Sequence, residues 1–343
     1  MNRRKSISAL FVSLAAGLFG LAAPAAVHAA EISLTYAFFA PAKTFPARQM
    51  THWAEQLTKR TNGKVDVKTF PGGTLLGAKD MYDGVAKGVA DIGLGSPSYD
   101  PGRFPLTSGV ALPVGFTNAT QASRTLWALT KEFKPKEYEG FKVIAMFTTE
   151  PGFIQTKTAV RNAGDLAGMK LRAAGTGVPV LKALGAAPIG MPMPEVPQSV
   201  STGVINGTMT SREVLQDFKL AESLKFVTDY PTVVVAFAAV MDQKKWDKLP
   251  ADVKKVIDEL AEEMPGWTGN YHDNENVGAA MAWATKEHKL QVVSLAADER
   301  ARWDAKLKPM EDEWVKEMSG KGLPAAAYLK RTRELRDQFA RKQ

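Results

Sequence analysis

The 343-residue chain has no cysteine. That excludes a thiol nucleophile, a cysteine-ligated metal and a disulfide framework, so the fold must rest on its own core. Histidine is scarce, with four in all, and no His-Glu-x-x-His pair occurs. The Gly-x-Ser-x-Gly of a nucleophile elbow and the Gly-x-x-x-x-Gly-Lys-Ser/Thr phosphate loop are missing. The run Gly175-Thr176-Gly177 continues into Val178-Pro179-Val180 without the third glycine of a dinucleotide fingerprint. No basic run interleaved with aromatics points to nucleic acid. Beyond the N-terminus, no segment is apolar for long enough to cross a bilayer. Nothing in the sequence calls for a cofactor or a metal.

What is present begins with an export signal. Arg3, Arg4 and Lys5 precede an apolar stretch from Ile7 to Leu21, and Val27-His28-Ala29 supplies small residues for cleavage. Residues 1–29 are therefore expected to be a signal peptide, and the mature protein to be periplasmic. Removing those three basic residues lowers the net charge from +8 to about +5, a mild field that favours encounter with small anions.

The remainder reads as α/β. Glu31 to Phe39, Lys64 to Phe70 and Ala90 to Gly95 have strand patterns, separated by helical patterns around Ala47–Leu57 and Ala78–Gly88. This strand–helix alternation suits a mostly parallel sheet. It then repeats, with strands at Lys142–Thr148, Met169–Arg172, Ala187–Met191 and Gly207–Thr210. The spacing predicts two lobes. Residues 30–150 form the first, with about 232–265 returning to it. Residues 151–231 form the second, with about 266–320, and 321–343 form a C-terminal helix. One interruption is expected at Pro265-Gly266, and a single helix over Asp298 to Met318.

Most polar clusters have ordinary explanations. Glu259, Glu262 and Glu263 suit a solvated helical face. His52 and His272 read as surface or capping residues, and Tyr271 to Asn276 as a polar helical turn. Arg172 differs, because it ends a strand in an α/β lobe, where such sheets bind ligands. Its guanidinium fork matches a carboxylate and keeps its charge when buried. The small residues that follow, Ala173 to Gly177, would leave space for an acid. On these features alone, Arg172 is either an anion clamp or a surface residue paired with a neighbour such as Asp165.

An ordered set of segments widens the reading: Phe70-Pro71-Gly72-Gly73-Thr74-Leu75-Leu76-Gly77, Gly84 to Asp91, Ala111 to Phe116, Asp165-Leu166-Ala167-Gly168-Met169-Lys170-Leu171-Arg172, Leu184 to Pro188, and Gly203-Val204-Ile205-Asn206-Gly207. Together they resemble the solute-binding subunits of tripartite ATP-independent periplasmic (TRAP) transporters, the DctP-like proteins, over nearly the whole mature chain. The resemblance implies a two-lobed periplasmic binding protein fold, with connecting strands and a long helix spanning the lobes. It implies membrane permease partners driven by an ion gradient. It also implies that Arg172 is the residue that grips the substrate carboxylate. Sialic-acid binders of the family carry a second arginine just after the first-lobe boundary. Here that segment reads Glu150-Pro151-Gly152-Phe153-Ile154-Gln155, which argues against sialic acid.

The expected ligand is a small organic acid, a monocarboxylate that is aromatic or branched. Phe39, Phe147, Phe153 and Phe237 are candidate apolar walls, beside polar Ser96, Thr148, Thr210 and Ser211. Arg212 is either a second anion contact, which would suit a C4-dicarboxylate, or a charge paired with Glu213 or Asp217. Rival readings are the binding subunit of an ATP-driven importer, a ligand-sensing partner of a signalling receptor, and a secreted enzyme acting on an acid. No paired acid–base constellation supports the enzyme.

Overall fold

The computed structural model describes residues 30–341. The expected signal peptide lies outside the described residues. Among these, no helix is long and apolar enough to cross a membrane.

Among the described residues, eleven strands form two sheets. The first contains β1 (Ile32–Phe38), β2 (Val65–Phe70), β3 (Ile92–Gly95) and β4 (Phe141–Thr148). The second contains β5 (Phe153–Thr156), β6 (Lys170–Ala173), β7 (Ala187–Gly190), β8 (Gly207–Thr210) and β9 (Phe226–Thr228). The chain then returns to the first sheet through β10 (Ala236–Asp242), and β11 (Gln291–Val293) completes the second. Strand orders are β2-β1-β3-β10-β4 and β11-β9-β5-β8-β6-β7. β1 runs parallel to β2 and β3, as helical crossovers require, whereas β10 lies antiparallel between β3 and β4.

Each sheet has its own core. On the first, the helix Phe45–Arg60 buries Met50, Trp53 and Leu57 at helical spacing against β1. Tyr36 meets Trp53 edge-on at 5.5 Å. On the second, Leu171, Val180, Leu184 and Trp303 pack together. The two lobes are joined by two chain crossings, residues 149–152 and 229–235. These pair with each other: Thr149 N donates to Val235 O (3.0 Å), and Gly152 N to Val233 O (2.8 Å).

A third link is helical. The helix Ala251–Tyr271 packs on the first lobe, against the helix Ala119–Phe133 and β4. A π-helical turn, His272–Asn276, follows, and Val277–His288 then packs on the short helix Val214–Asp217 of the second lobe. The break expected at Pro265-Gly266 is absent. Pro265 is buried mid-helix beside Met264 and Thr268, and packing carries the helix through it. The irregular turn comes instead at the lobe junction. The single helix expected over Asp298 to Met318 is two, Ala297–Leu307 and Pro309–Gly320. Pro309 supplies no N–H to the preceding turn.

Candidate functional site

Arg172 sits at the carboxyl end of β6, its backbone paired between Ile189 of β7 and Thr208 of β8. Only 1% of it is exposed. Nε donates to Met191 O (2.9 Å), and Nη2 to the Tyr99 hydroxyl (3.4 Å). Nη1 has no hydrogen-bond partner, and no carboxylate among the described residues lies within ion-pairing distance. Asp165 is occupied elsewhere: it accepts from Arg161 N and forms a capping box with Asn162.

Tyr99 belongs to the first lobe, in the single turn Pro97–Tyr99 after β3. Ser96 holds that turn to β10 by donating to Ala236 O (3.0 Å). The Tyr99 hydroxyl also accepts from Met193 N (3.2 Å). With two donors directed at its oxygen, its own proton remains available to an anion.

Beside Arg172 and Tyr99 lies a cavity of about 40 Å³ between the lobes. Phe38, Phe39, Phe45, Phe218 and Phe237 form its apolar wall, and Thr44, Thr149, Thr210, Glu213 and Asp217 its remaining polar surface. A cavity this small admits water but not an aromatic acid, so the lobes are drawn together in this conformation. A larger groove, about 830 Å³, runs outside it between Pro97–Pro101 and Ala174–Pro179 and shares Tyr99 with the cavity. The groove is bigger, but Arg172 lines the inner cavity.

Of the small residues after Arg172, Ala174, Gly175 and Thr176 line the outer groove and let the lobes approach. Thr176 Oγ1 donates to Ala111 O of the first lobe (2.5 Å). Gly175 has φ +50°, and a Cβ there would stand 3.0 Å from Ser98.

A second polar group follows β8. The Glu213 side chain is buried, with Oε1 accepting from the Ser211 hydroxyl (2.8 Å). Oε2 lies 3.3 Å from His272 Nε2. At that distance the imidazole pairs with Oε2 mainly through charge, its alignment being poor for a hydrogen bond, and among the described residues no other group donates to Oε2. His272 is fully buried, edge-on to Phe45 at 4.2 Å, and is neither a surface nor a capping residue. Burial alone would lower its pKa, but the neighbouring Glu213 outweighs that and holds it above the ordinary histidine value. Asp217 Oδ2 accepts from Phe45 N at the start of the first-lobe helix (3.3 Å), and Oδ1 from Asn276 (3.4 Å). Burial, and then repulsion from Glu213, push its carboxyl up to about 7.

Of the residues singled out from sequence, Arg172, Phe39, Thr210 and Phe237 line the cavity. The other six do not. Phe147 stacks behind Phe237 at 5.2 Å. Thr148 bonds through its backbone to Ser123, Ser96 holds the turn before Tyr99, and Ser211 orients Glu213. Phe153 packs among Leu215, Ala221 and Val227, with the Arg212 guanidinium 4.2 Å above its ring. Arg212 pairs with Glu150 in the lobe crossing, through Nε (3.0 Å) and Nη2 (2.6 Å), and not with Glu213 or Asp217. Tyr99, Glu213, Asp217 and His272 were not picked out as site residues. The strand-end rule that marks Arg172 at the end of β6 also marks Glu213 just after β8. No periodicity marks Tyr99.

The sequence pattern of bacterial extracellular solute-binding protein family 7 (DctP) matches residues 36–317. A TRAP periplasmic solute-binding protein from Desulfovibrio salexigens is 44% identical, with a TM-score of 0.81, covering 90% of this chain and 97% of its own. It is an open complex whose ligand-binding site holds the C-terminus of a symmetry mate. A TRAP solute-binding protein from Rhodoferax ferrireducens, in complex with copurified benzoate, is 27% identical with a TM-score of 0.85, covering 90% and 98%. The C4-dicarboxylate-binding periplasmic protein DctP of Rhodobacter capsulatus is 25% identical over 93% of this chain and 95% of its own. These relatives are transport solute-binding proteins, not enzymes.

Proposed function

The chain belongs to bacterial extracellular solute-binding protein family 7, as a TRAP extracytoplasmic solute-binding protein, and on that premise we propose that it captures a small monocarboxylic acid, aromatic or branched, with Arg172 as the clamp. One observation carries this reading. A fully buried guanidinium faces an aromatic-walled cavity and, among the described residues, its Nη1 is unpaired and no carboxylate lies within ion-pairing distance of it. A buried charge without a partner is costly, and a ligand carboxylate relieves that cost through the guanidinium fork. Benzoate in the Rhodoferax relative agrees with the five phenyl rings of the wall.

The mechanism is conformational. The acid enters while the lobes are parted, and its carboxylate takes Arg172 and the Tyr99 proton. Closure then buries the ring against Phe39 and Phe237. The ligand shifts the lobes only by binding the closed form more tightly than the open one. The closed form hands the acid to the ion-gradient-driven TRAP permease in the membrane. Export by a cleaved signal peptide places the protein in the periplasm, where the family's named relatives act.

A C4-dicarboxylate is the second reading, favoured by the Rhodobacter relative. It requires Arg212 to leave Glu150, which now holds it through two side-chain hydrogen bonds. Thermal unfolding of ligand-stripped, refolded protein separates the two. The panel is benzoate, mandelate, a branched 2-oxo acid, succinate and malate. A ligand at a hundred times its dissociation constant adds about 2.7 kcal/mol. Shifts with the monocarboxylates alone support the first reading, and shifts with succinate and malate alone support the second.

A further inference from the structure

Resting on the carboxylate reading above, we propose that Glu213 Oε2 is a second ligand contact, and that the acid carries a hydrogen-bond donor, a hydroxyl or N–H, besides its carboxylate. Glu213 is 4% exposed and lines the same cavity as Arg172. The Ser211 hydroxyl fixes Oε1, which sets the direction of Oε2. His272 stands against Oε2 at 3.3 Å and balances its charge, and as a single poorly aligned donor it takes at most one of that oxygen's two lone pairs, so Oε2 can still accept from a ligand.

The rest of the cavity narrows the choice. Each oxygen of Asp217 already accepts one hydrogen bond, from Phe45 N and from Asn276, whereas Glu213 Oε2 has only the His272 charge contact. The phenyl wall offers no strong acceptor, the Thr149 hydroxyl already bonds Glu150 O and Val235 N, and the Thr44 and Thr210 hydroxyls are neutral and so weaker acceptors than a carboxylate. The cavity therefore has a donor pole at Arg172 and Tyr99, where a carboxylate belongs. Its acceptor pole is at Glu213, where a carboxylate would be repelled. That polarity disfavours diacids as well as bare aromatic acids. A site built to receive a donor discriminates against the analogue that lacks it, because the buried acceptor is then left unpaired.

Matched acids test this: 3-hydroxybenzoate against benzoate, mandelate against phenylacetate, and pyroglutamate against cyclopentanecarboxylate. Each is titrated calorimetrically into refolded wild-type protein and Glu213→Gln. In the variant, the glutamine oxygen held by Ser211 leaves an amide N–H2 where the acceptor was. The expected result is that the donor-bearing member of at least one pair binds wild type about tenfold or more tightly, and that Glu213→Gln abolishes the preference. Equal affinities within every pair overturn the proposal and leave the carboxylate clamp standing. A preference that survives in Glu213→Gln also overturns it, since the donor is then read elsewhere. Binding of no member of any pair overturns the proposal together with the monocarboxylate reading on which it rests. If Glu213→Gln does not fold, a crystal structure of wild type with its tightest acid decides. A ligand donor within hydrogen-bond distance of Oε2 supports the proposal, and its absence there overturns it.

Discussion

The Tyr99 hydroxyl of the first lobe accepts a hydrogen bond from Arg172 Nη2 of the second, at 3.4 Å, on the edge of the buried cavity. The same oxygen accepts from Met193 N at 3.2 Å. One phenol therefore orients the clamp and ties the lobes together.

Tyr99→Phe keeps the ring against Phe39 and removes both bonds and the free proton. Loss of a hydrogen bond to a charged group costs about 1.5–3 kcal/mol, so affinity for the best acid of the panel should fall at least tenfold. The loss should appear mainly in the dissociation rate, measured by stopped-flow fluorescence, because the bonds form only on closure. An unchanged dissociation rate would remove Tyr99 from the site.

Asp217 makes stability depend on pH. Its folded pKa of about 7 lies above its ordinary value of 3.8. Its stabilising contribution is thus present below about pH 4 and lost as pH rises through about 7. His272, also raised, acts in the same sense above its ordinary value. The melting temperature of the ligand-free protein should therefore fall between pH 5 and pH 8. Asp217→Asn should flatten much of that slope and be the more stable form at pH 8. The unpartnered Asn276 Oδ1 is available to the new amide. The slope left in the variant belongs to His272 and to the carboxyls of Glu137 and Asp100, which burial also raises.

Arg212 and Glu150 hold the base of the lobe crossing. Glu150 is buried, and the side chain of Arg212 is 28% exposed. Arg212→Ala leaves the carboxylate without its main partner and removes the cation over Phe153, so stability should fall by about 2 kcal/mol in a urea titration. Affinity for a monocarboxylate should change far less than in an Arg172 variant. A dicarboxylate ligand gripped by Arg212 would give the opposite pattern.

The strands of both sheets and their helices are legible because alternation and helical spacing survive burial on one face. Arg172 is legible because a charge at the end of an apolar strand is conspicuous. Other features depend on layer order, which sequence does not carry. Phe147 and Phe237 are cross-strand partners with equal claims, but only Phe237 reaches the cavity, with Phe147 stacked behind it. The run around His272 looks like a solvated turn because it is polar. Its burial comes from Phe45 and Glu213, 227 positions upstream and 59 positions upstream respectively. Pro265 has the local signature of a helix end, and packing of the helix on the first lobe overrides it.

Calorimetric titration of the best-shifting monocarboxylate into refolded wild type and Arg172→Ala, with circular dichroism confirming that both are folded, tests the central claim most directly. Truncating one partner of a buried charge pair costs about 2–5 kcal/mol, so the account predicts at least a thirtyfold loss of affinity. Equal affinity in the two proteins would contradict it.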